Sequence, residues 1–304
     1  MYVGFMTACL PNVSFKDLVT WASTNGFDAL ELACWPAGAK DRRYAGAHHI
    51  NVEELTPAQA GEVNGQLKEY HLRISSLGYY PNHLDPDPEK RKFFNEHLKK
   101  VIRAASLLGV SVVGTFVGRD PALKIEANLP AFKAVWPDLV KYAEDNGVKI
   151  AIENCPMMYT WPAGSNVAFT PDFWDEMFSI IPSSNFGLNL DPSHLVWQFI
   201  DPAATVREYK DRILHTHAKD TLIDWAKLRR VGFFSQKNDL YTWWKDKVAG
   251  LGDVDWRDYL GALHEVGYSG VVSIEHEDRA WEANEERIKQ GLLLAKKTVS
   301  RHLV

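Results

Sequence analysis

Residues 186–194 read FGLNLDPSH. An apolar run delivers Asp191 at its end, Pro192 breaks the strand, and His194 follows three residues after the aspartate. Three other stretches end the same way: VKIAIEN (148–154) presents Glu153, RILHTHAKD (212–220) presents His217, and GVVSIEHED (270–278) presents Glu275. Short, branched, apolar runs of this kind read as buried parallel strands. As neighbours in one barrel, their carboxyl ends share a rim on which the four side chains converge.

Working outward, the same unit repeats along the chain. Tyr2–Thr7 is a first strand, and Ser14 with Asp17 opens a helix whose inner face is Phe15, Leu18, Val19 and Ala22. Gly26 closes that helix. Ala29–Trp35 is the second strand, followed by a polar loop in which His48 and His49 read as solvated residues. Thr56-Pro57 starts the second helix, and Leu72–Leu77 is the third strand. Phe94, Leu98, Val101, Ile102, Ala105 and Leu108 keep a helical period up to Gly109. Ser111–Val117 is the fourth strand. The helical stretch at 129–146 contains Pro137, where a kink or break is expected. Strands five to eight end at Glu153, Asp191, His217 and Glu275, with helix starts at Thr170-Pro171 and Asp255 and a last helix at 284–301.

Eight strands alternating with helices imply a parallel sheet covered by helices, and eight repeats in 304 residues match an α/β (β/α)₈ barrel (a TIM barrel). No G-x-G-x-x-G follows the first strand, which counts against an open dinucleotide-binding sheet. No linker interrupts the alternation, so residues 1–304 read as one domain. The exception to short connections is residues 221–250, which carry Trp225, Phe233, Phe234, Tyr241, Trp243 and Trp244. A connection of that length commonly serves as a lid or a subunit contact, which keeps a homo-oligomer open.

Composition sets outer bounds. The chain is 46% apolar and 24% charged, with a net charge of −5. Nucleic-acid binding rests on Lys and Arg neutralising phosphates, so this balance argues against such a partner. No apolar stretch approaches a membrane span, and MYVGFMTACL lacks the basic start of a secretory leader. The three cysteines, Cys9, Cys34 and Cys155, have no metal-site spacing. Reduced thiols in a cytoplasmic protein are expected, with Cys155 a small buried thiol because no His or Lys adjoins it in sequence.

Three carboxylates on one rim repel. Two unit charges about 4 Å apart interact by roughly 4 kcal/mol at an effective dielectric near 20. Either one carboxyl group keeps its proton or a divalent cation sits among them, and the imidazole favours the cation. An oxygen-rich set with one nitrogen suits one Mn²⁺, Co²⁺, Mg²⁺ or Zn²⁺. Strand alternation puts His215 and His217 on one face, His217 nearer the end, and turns His276 away from Glu275 toward a helix.

ENCP (153–156), NLDPSH (189–194), HTHAKD (215–220), LGDVDW (251–256) and GYSGVVSIEHED (267–278), in this order, resemble the xylose-isomerase-like barrel superfamily of sugar isomerases and epimerases. The resemblance implies a divalent metal held by Glu153, Asp191, His217 and Glu275. It implies that His194 contacts a substrate oxygen, and that Glu153 and Glu275 exchange protons on opposite faces of the substrate. Several ketose epimerases of that family place an Arg shortly after the histidine; here the run is AKDTLIDW, and Lys219 is the nearest cation.

The chemistry agrees. Abstracting a proton next to a carbonyl needs a base and a stabiliser for the enediolate, and a divalent ion is such a Lewis acid. Two carboxylates on opposite faces give epimerisation, and one base moving a proton between carbons gives aldose–ketose isomerisation. Loss of a β-substituent makes the same site a lyase on 3-keto-glycosides, or a keto-sugar or inosose dehydratase. Trp35, Tyr80, His83, Phe116, Trp161 and the aromatic 221–250 segment are placed to wall a carbohydrate pocket, with Lys219 as a substrate contact. No glycine-rich phosphate cradle follows strands seven or eight, which favours an unphosphorylated substrate, with Lys219 and Arg119 leaving that open. Abasic-site endonucleases of the same superfamily use histidines at the third and fourth strand ends; here the fourth ends TFVGRD and the third offers only His83. A carbohydrate-binding barrel without turnover is the non-enzymatic alternative, and the full set of four ligands counts against it.

Overall fold

A computed structural model describes residues 1–38, 44, 46–158, 164–233 and 243–303. Eight parallel strands close on themselves: β1 (Tyr2–Met6), β2 (Ala29–Ala33), β3 (Arg73–Gly78), β4 (Val112–Thr115), β5 (Lys149–Glu153), β6 (Phe186–Leu190), β7 (Ile213–Ala218) and β10 (Val271–Ile274), the last pairing back onto β1. The (β/α)₈ barrel is therefore closed. β2 (ALELA) and β6 (FGLNL) are buried along their whole length, which is why they read as continuous apolar runs rather than alternating ones.

Helices cover the outside: α1 (Phe15–Thr24), α2 (Pro57–Glu69), α3 (Pro88–Leu108), α4 (Leu129–Asp145), α5 (Pro171–Ile180), α6 (Pro192–Val196), α7 (Pro202–Glu208), α9 (Trp256–Glu265) and α10 (Glu285–His302). Their starts follow the side chains read above. Ser14 accepts from the Asp17 amide, Thr56 forms a capping box with Gln59, and Asp255 accepts from the Asp258 amide. Thr170 makes no such bond; Pro171 fixes that start by its own φ. Gly109 ends α3 at φ 71°.

Pro137 does not break α4, which runs unbroken through it. Proline leaves the Lys133 carbonyl without its helical partner, but both residues are exposed and water can take that place. Phe132, Trp136, Leu139 and Val140 anchor the helix on both sides of Pro137, with Trp136 and Phe132 packing on Phe186 of β6.

The long connection contains structure of its own. β8 (Asp220–Ile223) pairs antiparallel with β9 (Trp244–Lys247), and α8 (Trp225–Val231) lies between them. Asp220 ties this hairpin to the rim by accepting from the amides of Thr221, Gly250 and Val254 and from Trp256 Nε1. Among the described residues, no helix is long and apolar enough to cross a membrane.

Candidate metal centre

The barrel interior carries a polar layer beneath the rim. Register places Glu31 beside Ser76, Asn189 beside His215, and His217 beside Ser273. Glu31 sits at its centre, fully buried. It accepts from Tyr80 Oη at 2.5 Å, Ser273 Oγ at 2.8 Å and His217 Nε2 at 2.9 Å. Burial alone would raise the Glu31 pKa, but the charges of His217 and His215 and these hydrogen bonds hold it well below the usual carboxylate range. Gly114 makes the arrangement fit: a Cβ there would lie 2.3 Å from Tyr80 Oη.

One layer higher, Glu153 ends β5, Asp191 follows β6, His217 lies near the end of β7, and Glu275 follows β10. Each offers a ligand atom, and these atoms lie within 4.8 Å of one another. Local bonds aim them. Ser193 donates through its amide and hydroxyl to Asp191 Oδ1, which turns Oδ2 inward. Asn154 clamps the Asp191 backbone through both its amide atoms. Glu31 takes Nε2 of His217 and leaves Nδ1 facing Glu275 at 3.4 Å and Glu153 at 3.8 Å.

Lys219 stands among these acids. Its Nζ lies 2.6 Å from Glu275, 3.1 Å from Asp191, 3.2 Å from Glu277 and 3.9 Å from Glu153. Burial would strip its proton, yet Asp191, Glu275 and Glu277 hold it firmly charged. The acids still outnumber it. For His217, burial opposes charge, but Glu31 and Glu275 overcome this and draw a proton onto the ring. Glu153 and Glu275 are themselves held below the usual carboxylate range against burial, Glu153 chiefly by His194 and Glu275 chiefly by Lys219.

This donor set fits a divalent cation. Within it, Asp191 Oδ2 and His217 Nδ1 are buried atoms without a hydrogen bond; the 3.1 Å contact of Asp191 Oδ2 with Lys219 is an ion pair. Buried polar atoms left unbonded are rare and point to a missing partner. Glu31 behind His217 is the carboxylate–histidine pairing that fixes a ligand's tautomer and ring orientation.

A family model described as a xylose isomerase-like TIM barrel matches residues 19–298. The chain belongs to that family. It is 28% identical over 331 residues to the uncharacterized protein YfiH of Bacillus subtilis, covering 99% of this chain and 100% of that protein. It is 29% identical over 205 residues to an inosose dehydratase of Clostridium tetani, covering 66% of this chain and 67% of that one. The fold matches that of D-psicose 3-epimerase from Clostridium cellulolyticum H10 with a TM-score of 0.71 at 16% identity, over 100% and 99% of the two chains.

The residues read as a pocket wall divide in the structure. Trp35, Tyr80, Phe116, His194 and Lys219 do line the cleft above the three acids and the imidazole, together with Trp197, Trp244 and Glu277. His83 does not. It is fully buried, bonded to Asn95 Oδ1 at 2.7 Å and Thr115 Oγ1 at 2.9 Å, and packed against Trp136. Asn95 belongs to α3, so His83 is bound to a helix rather than placed on the cleft. Arg119 is also buried away from the cleft, donating to the Leu123 carbonyl. Trp161, Phe234 and Tyr241 lie outside the described residues. Trp225 and Phe233 are exposed, Trp243 is buried behind Trp244, and only Trp244 of the described connection aromatics reaches the cleft.

Two further readings change. His49 is not a solvated loop residue: it bonds Thr7 Oγ1 and the Leu10 carbonyl. Cys155 is half-buried and lines the cleft, and His194 lies beside it in space. Glu31 was missed, although a lone acid inside the apolar run ALELA was the available signal. Glu277 was missed too; it lies past the end of β10, and Lys219 donates to both it and Glu275. His276 does face α10, where a Cβ on Gly291 would meet its ring at 2.3 Å.

Proposed function

We propose that this protein is a divalent-metal-dependent isomerase or epimerase that abstracts and returns a proton next to the carbonyl of a small polyhydroxylated ketone. The observation that carries the reading is the convergence of Glu153, Asp191, His217 and Glu275, from four different strands, on one point at the floor of an aromatic-walled cleft. An ion held there supplies a Lewis acid for the carbonyl and for the negative charge that proton loss creates. Glu153 and Glu275 stand on separate strands as the two proton-transfer groups. His194, at 3.6 Å from Glu153, orients a substrate oxygen. Trp35, Phe116 and Trp197 exclude water and offer apolar faces to the C–H side of a sugar.

A second outcome, elimination of water, has its own support. Lys219 and His194 are proton donors inside the same cleft, and a leaving hydroxide needs one. The inosose dehydratase relative favours this route for a cyclic ketone.

One experiment separates them. The metal-loaded protein is incubated in D₂O with a panel of ketoses, aldoses, inososes and 3-keto-glycosides and followed by NMR. Deuterium at one carbon of an intact skeleton supports isomerase or epimerase chemistry, and a dehydrated or cleaved product supports the lyase. No exchange with any member would sink the reading, and Glu153→Gln and Glu275→Gln should each abolish exchange.

A further inference from the structure

The proposed chemistry leaves one rim group without a task. Cys155 Sγ, a carboxylate oxygen of Glu153 and a ring nitrogen of His194 lie within 4.8 Å of one another. The backbone holds them there. Asn166 donates to the carbonyls of Glu153 at 3.1 Å and Cys155 at 2.7 Å, while its own oxygen accepts from the amides of Val117 and Gly118. This pins the end of β5 against the end of β4. Trp197 Nε1 donates to His194 Nδ1 at 3.4 Å, which turns Nε2, the nitrogen that then carries the ring proton, inward. Nε2 is buried, 3.6 Å from Glu153 Oε1 and 3.6 Å from Asp191 Oδ2, and has no hydrogen bond. A thiol, a carboxylate and an unsatisfied imidazole nitrogen thus face one another at the cleft wall.

We propose that Glu153, Cys155 and His194 form a second metal site, selective for a thiophilic divalent ion such as Zn²⁺, that shares Glu153 with the four-ligand set. Softness separates the two sites. Three carboxylates and an imidazole accept hard and borderline ions alike, whereas a thiolate selects zinc over magnesium or manganese. Zinc takes sulfur at about 2.3 Å and imidazole nitrogen at about 2.0–2.1 Å, so tetrahedral donors stand about 3.5 Å apart. All three residues line the cleft, so water can complete the set. On binding, the Sγ–H and Nε2–H bonds break: the thiol proton passes to solvent, the ring proton moves to Nδ1, which gives up its bond from Trp197, and the sulfur and Nε2 lone pairs form the bonds to the ion; no electrons are exchanged.

The functional consequence rests on the proposed reaction: zinc at this site occupies His194 and Glu153, the groups given substrate contact and proton transfer, and so inhibits turnover. The site itself does not depend on that reaction.

Cobalt(II) titration of the full chain tests it, because thiolate ligation gives an intense near-ultraviolet charge-transfer band. Wild type should bind two equivalents and develop that band, and Cys155→Ser should keep one equivalent and lose it. One equivalent without the band overturns the second site and leaves the four-ligand set standing. A band with only one equivalent keeps the thiolate site and counts against the four-ligand set, and no binding sinks both. A band that persists in Cys155→Ser also overturns the proposal, since the sulfur would then be Cys9 or Cys34. A second readout needs no variant. Zn²⁺ should slow iodoacetamide labelling of Cys155 at least tenfold by peptide mass spectrometry, Mg²⁺ should not, and buried Cys9 and Cys34 serve as internal references. Equal protection by the two ions, or none, overturns the assignment.

Discussion

Lys219 carries its charge into the middle of the carboxylates that a divalent ion would use. An ammonium 2.6 Å from Glu275 and 3.1 Å from Asp191 neutralises them and repels a second cation. Unit charges about 4 Å apart interact by about 4 kcal/mol at an effective dielectric near 20. Even a third of that is about a tenfold change in affinity. Lys219→Met should therefore tighten Mn²⁺ binding at least about tenfold by isothermal titration, and an unchanged or weaker affinity would show that the two cations do not compete. Asp191, His217, Glu153 and Glu275 were legible because each sits at the end of an apolar run, where a polar side chain has no core to join. Glu31 was not, because nothing in ALELA tells which way its side chain faces until β7 supplies two histidines across the barrel. His83 was misread for a related reason: a histidine in the loop after a strand end reads as a cleft residue, and only the packing of Trp136 and Tyr79 around it shows otherwise.

At the scale of elements, the eight barrel strands could be read from apolar runs and helix caps, but the hairpin between β7 and α9 could not. β8 and β9 are four residues each, DTLI and WKDK, too short for a period and separated by a helix. Their position depends on one buried acid. Asp220 accepts three backbone amides and the Trp256 ring N–H, and these bonds keep it ionisable only at a cost, since burial raises its pKa. Asp220→Ala leaves all four donors unpaired, and an unsatisfied buried donor costs about 1–3 kcal/mol. Water reaches some of them, so a loss of roughly 3 kcal/mol in urea unfolding is expected. Amide exchange should accelerate over 220–223 and 244–254 first. An unchanged urea midpoint would remove Asp220 as the anchor. The unbroken helix at Pro137 belongs to this scale too, because the exposure of Lys133 and Pro137 is a property of the packed helix, not of the residues.

For the whole molecule, alternation predicts a barrel, yet closure itself is a contact between the first and last strands, β1 and β10, which no local pattern contains. Closure buries several imidazoles in neutral form, and this sets how the fold responds to acid. Burial pushes His83 down from 6.5 to about 4, and burial also lowers His49 and His97. Below pH 6.5 the unfolded chain takes up a proton that folded His83 refuses, so its contribution is fully present above pH 6.5 and is lost as pH falls toward 4. At about 1.4 kcal/mol per pH unit, the loss from His83 is on the order of 3 kcal/mol. His83→Gln should cost stability at pH 7.5, because Asn95 and Thr115 lose part of their bonding. That deficit should shrink steadily between pH 6.5 and 4, since the variant has no proton to refuse. Carboxylates elsewhere titrate equally in both proteins and cancel in the difference. Urea unfolding of the pair across pH 7.5 to 4 measures it, and a difference that stays constant with pH would show that His83 is protonated in the folded barrel.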